Sequence, residues 1–139
     1  MTSKADFTED EWKGMQKGVT GAGMLVSVAD RDFTDSFGES SALAHYLGDQ
    51  RKANDSALMR DLAAVRGTGF GFTDSPQEVE AETMDALRAA VATLTEKAPG
   101  ELEAYRALVL GVANAVAEAK GGVKPDETAT VDAIAAALG

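Results

Sequence analysis

The sequence predicts an all-α fold: a compact, single-domain bundle of about six helices over residues 1–139. Three observations lead there. Apolar residues recur at steps of three and four, and no segment sustains the alternation of a strand. The composition leans towards Ala, Leu, Glu and Asp, with only three prolines, a mix that loses little side-chain entropy in a helix. Helix-starting and helix-ending signals punctuate the chain at domain-like intervals. At 139 residues and 45% apolar, one hydrophobic core needs no staple.

The first helix has a capping box, Thr8 with Glu11, and Phe7 and Trp12 are spaced as a hydrophobic staple. Trp12, Met15, Val19, Ala22 and Val26 then form one apolar stripe. Gly14, Gly18 and Ala22 share a face that would let a neighbour approach closely; a kink near Gly21 is the alternative. Asp30 to Gly38 reads as a polar turn carrying Phe33 and Phe37. A short helix from about Glu39 to Gly48 is expected next, with Leu43 and Leu47 inward. Asn54 or Asp55 is expected to cap a third helix bearing Leu58, Leu62 and Val65.

Arg66 to Asp74 breaks the periodicity and reads as the longest loop. Ser75-Pro76-Gln77-Glu78 restarts a helix with proline at its first position and a second capping-box spacing; Met84, Leu87, Val91 and Leu94 are its expected core face. Pro99-Gly100 marks a turn, after which Leu102, Tyr105, Val109, Val112 and Val116 stripe a long helix. Gly121-Gly122 ends it, and Pro125 opens the last helix, with Val131, Ile134 and Leu138 inward.

A shift of ninety residues lays the first stripe on the fifth: Trp12, Met15, Val19, Ala22 and Val26 fall on Leu102, Tyr105, Val109, Val112 and Val116. Glu11 and Glu101, and Gly21 and Gly111, coincide in the same register. Each stripe is followed by a polar turn and another helix, so the chain is expected to hold two related helix-turn-helix halves.

Residue supply limits the chemistry. With no cysteine, disulfides, thiolate nucleophiles, zinc ribbons and iron–sulfur clusters are excluded, and a single histidine, His45, excludes a multi-histidine site. A metal held by one chain would be bound mainly by oxygens, which favours calcium, magnesium or manganese. A formal charge of −10 opposes nucleic acid and anionic membrane surfaces, and leaves cations and basic proteins as natural partners. Met1 to Asp6 lacks the apolar core of a signal peptide, and the weakly polar run Gly21 to Ala29 is too short to cross a bilayer, so a cytoplasmic location is expected.

Asp30, Asp32, Asp35 and Glu39 form the densest acidic group. They do not make an EF-hand, because Asp35 stands at the glycine position and Ser41 at the final glutamate position. A solvated turn whose aspartates favour a helix N-terminus competes with metal binding there. Ser41, His45 and Asp49 lie four apart, but a regular helix gives a serine neither a strained turn nor oxyanion donors; a His45–Asp49 surface pair is the expectation instead. Gly67 to Gly71 has no following Gly-Lys-Ser/Thr and no preceding strand, which disfavours a phosphate cradle; Phe70 and Phe72 are expected to tuck into the core. No constellation for acid–base catalysis converges, so the expected function is not enzymatic.

The two turns resemble those of the tellurite-resistance TerB-like family, in which a helix ends in an acidic-Gly turn followed by an apolar residue and a glutamate that opens the next helix. Ala119-Lys120-Gly121-Gly122-Val123-Lys124-Pro125-Asp126-Glu127 keeps the glycine, the apolar position and the glutamate, with Lys120 where the family has aspartate. Ala29-Asp30-Arg31-Asp32-Phe33-Thr34-Asp35-Ser36-Phe37-Gly38-Glu39 keeps the aspartate and the apolar position, with Phe37 where the glutamate would be. The resemblance implies an all-helical, stress-associated binding module that holds a divalent cation through Asp30, Asp32, Glu39 and Glu127, the second and third shifted by two positions. The alternative is a metal-free structural or interaction domain, presenting a helical face such as Gly14-Gly18-Ala22 to a protein partner or a second copy.

Overall fold

The computed structural model describes residues 4–29, 36–64, 76–118 and 125–139, with the side chains of 5–26, 44–64, 77–118 and 129–139. A 3₁₀ turn, Lys4–Asp6, precedes α1 (Glu9–Ala29); α2 (Ser36–Ala53), α3 (Ala57–Ala63) and α4 (Pro76–Lys97) follow. A second 3₁₀ turn, Pro99–Glu101, leads into α5 (Leu102–Glu118), and α6 (Pro125–Ala137) closes the chain. Among the described residues there is no strand, and the all-α expectation holds.

Helix α1 starts where its capping box places it. The Thr8 amide donates to Glu11 Oε1 at 2.8 Å and the Glu11 amide donates to Thr8 Oγ1 at 3.1 Å, so two otherwise orphaned donors are satisfied. Phe7 and Trp12 complete the staple with ring centroids 6.1 Å apart. The helix then runs unbroken through Gly14, Gly18, Gly21 and Gly23. Burial explains this tolerance: Met15, Val19, Ala22 and Val26 are all essentially inaccessible, and packing offsets the weak propensity of the glycines.

Three boundaries differ from the sequence expectation. Helix α2 spans Ser36–Ala53, beyond the expected Glu39 to Gly48 at both ends. The cap of α3 is Ser56, not Asn54 or Asp55. Asn54 Oδ1 accepts the Ser56 amide at 2.9 Å, a local turn that presents the serine. Ser56 Oγ then accepts the Met59 amide at 3.3 Å and donates to Glu101 Oε2 at 2.6 Å, tying the cap to the α4–α5 turn.

The core face of α4 is also rotated. Val79, Thr83, Ala86, Leu87, Ala90 and Leu94 are buried, whereas the expected Met84 and Val91 are only partly so. Small residues are needed because α1 comes close there. A Cβ at Gly21 would overlap the Thr83 side chain, and one at Gly18 would lie 2.5 Å from Tyr105 Oη and 3.0 Å from Leu87 Cδ2.

Tyr105 is the largest fully buried side chain, and its hydroxyl donates to the Met15 carbonyl at 2.8 Å. The shift of ninety residues pairs these same two residues. The rest of the arrangement follows that pairing: α1 packs on α5, α2 packs on α5, and α6 packs on α1. Helix α2 therefore leans on α5 more than on its neighbour α1, whereas α6 packs on α1 and α5 alike. Gly111, the counterpart of Gly21, likewise faces an intruding side chain, because a Cβ there would meet the Tyr46 hydroxyl and ring. Both pairs are separated by six residues, 30–35 and 119–124. Helix α4 covers the remaining flank of α1.

Candidate functional site

Of the four expected cation ligands, Asp30 and Asp32 lie outside the described residues. Glu39 is the fourth residue of α2 and Glu127 the third of α6, so both stand in first helical turns, and their side chains lie outside the described set. A carboxylate in that position is favoured by the dipole of its own helix whether or not it binds metal. Among the described residues no three acidic or histidine side chains are placed to hold a metal ion. The loop at Gly67 to Gly71, with Phe70 and Phe72, also lies outside the described residues.

The residues that imitate a hydrolase triad do not assemble. His45 and Asp49 are both exposed on α2. Among the described residues no ion pair joins them, so the surface pair expected from the sequence does not form. The side chain of Ser41 lies outside the described set. Trp12, Tyr105 and Met15 are core residues, as their spacing indicates; Met59 is buried as well, while Met24 and Met84 are only partly buried.

The Gly14-Gly18-Ala22 face is taken up within the chain. Gly18 and Ala22 are buried, and Tyr105 and Leu87 occupy the space at Gly18; only Gly14 would leave an added Cβ free of neighbours within 4 Å. The close approach is thus made by side chains of α4 and α5 rather than by another backbone. Helix packing in this bundle consumes the surface that the sequence offers as an association face.

The described surface includes two open grooves beside α1 and α4. One, of about 810 Å³, lies where the start of α1 meets the end of α3, lined among others by Phe7, Trp12, Lys13, Gln16 and Ala64. The other, of about 490 Å³, lies between α4 and α6 beside Glu80, Met84, Arg88, Val91, Ala133 and Ala137. Partial exposure of Met84 and Val91 belongs to this second groove.

Near the first groove Lys97 reaches across from α4 to α1. Its Nζ lies 2.5 Å from Glu11 Oε1 and 3.3 Å from the Asp6 carbonyl, and 5.8 Å from the centre of the Phe7 ring. The hydrogen bond from Lys97 and then that from the Thr8 amide hold the Glu11 carboxyl below its ordinary range. Burial raises both tyrosines instead, Tyr105 strongly and Tyr46 less so, and neither hydroxyl is poised to lose a proton. Lys17–Glu82 at 3.5 Å is a further α1–α4 pair; Lys13–Glu9, Arg88–Asp85 and Arg106–Glu103 are pairs within single helices. These contacts fasten elements together.

The sequence did not reveal Lys97 as a clamp or Thr83 as a core residue. A lone lysine at a helix end and a threonine among glutamates carry no periodic signal, since their partners sit on a helix distant in the chain. No described helix is long and apolar enough to cross a membrane. The chain matches no protein-family model, no curated protein and no solved structure.

Proposed function

We propose that this chain is a non-enzymatic, stress-associated binding module of the kind the TerB-like resemblance implies, holding a divalent cation through Asp30, Asp32, Glu39 and Glu127. The observation that carries the reading is the packing of α1 on α5, the helices that precede the two connections. Helix α2 packs on α5, and α6 lies against both α1 and α5. Both connections thus leave from helices that share one core, which supports a shared site. An oxygen-only ligand supply favours calcium, magnesium or manganese, and the −10 charge favours cations and basic surfaces over nucleic acid. A cytoplasmic setting goes with this reading.

Calorimetric titration of each cation into chelator-treated protein tests it. Saturable heat at a fixed stoichiometry is expected for one of the three. No heat with any of them, and an unchanged melting temperature at millimolar cation, would overturn the metal reading.

A second reading, a metal-free interaction domain, is favoured by the two open grooves beside α1 and between α4 and α6. Its partner would be another protein or a second copy. Concentration-dependent sedimentation, unaltered by chelator, would support it.

A further inference from the structure

No further inference is drawn: the strongest candidate, the open groove where the start of α1 meets the end of α3, lined by Phe7, Trp12, Lys13, Gln16 and Ala64, has nothing in the structure to show what covers it.

Discussion

At the scale of single residues, the glycines of α1 divide by what surrounds them. Gly14 is a helix-interior glycine with open space at its Cβ position, so Gly14→Ala is expected to stabilise by about 0.5–1 kcal/mol through the unfolded chain's lost freedom. Gly18→Ala would set a methyl 2.5 Å from the buried Tyr105 hydroxyl and force it off the Met15 carbonyl. A loss of roughly 1–3 kcal/mol is expected. Urea midpoints of the two variants, moving in opposite directions from the parent, check both statements. Thr83 offers a separate test. It is fully buried, and among the described residues its Oγ1 has no hydrogen-bond partner. Thr83→Val keeps the shape and removes the orphaned hydroxyl, so stability should rise by about 1 kcal/mol; a lower urea midpoint for this variant would contradict the assignment.

At the scale of elements, helix starts were legible in the sequence wherever the cap is local. Thr8 with Glu11 fixed the start of α1, and Pro76 fixed the start of α4. The start of α3 was misread because the cap depends on a turn: Asn54 binds the Ser56 amide, and the serine then caps the helix. Helix α3 has only seven residues, so its cap matters more than in a long helix. Ser56→Ala removes the acceptor for the Met59 amide and the donor to Glu101, and a cost of roughly 0.5–2 kcal/mol in chemical denaturation is expected. The face of α4 was legible in period but not in phase, since Thr83 faces α1 at Gly21 while Met84 and Val91 border a groove. Where α4 meets α1, the Lys97–Glu11 contact gives a pH signature. The carboxyl is held below its unfolded value, so its contribution is complete above the unfolded range and disappears as pH falls through the lower folded value. Parent and Glu11→Gln melting temperatures should therefore differ at neutral pH and converge in acid; a gap that stays constant across the acid range would show that the ion pair contributes nothing.

At the scale of the whole molecule, the ninety-residue register aligned α1 with α5, and these two helices pack on each other. That register aligned Met15 with Tyr105, and these two meet in a buried hydrogen bond. It aligned Gly21 with Gly111, and each admits a side chain from another helix. Sequence could supply the register because apolar spacing repeats along the chain. It could not supply the choice of partners, α2 on α5 and α6 on both α1 and α5, since that depends on which stripe a helix finds in space. The small-residue face was misread as an outward surface for the same reason. The ligands of the proposed cation site rest on the sequence alone, Asp30, Asp32 and Glu39 around the first turn and Glu127 after the second. The most direct measurement is calorimetric titration of the parent beside Asp30→Asn and Glu127→Gln, with the melting temperature of each apo form as a check on folding. Cation affinity reduced in both variants, at unchanged apo melting temperature, is the predicted result. Undiminished binding in one or both variants, or no binding by the parent, would contradict the shared site.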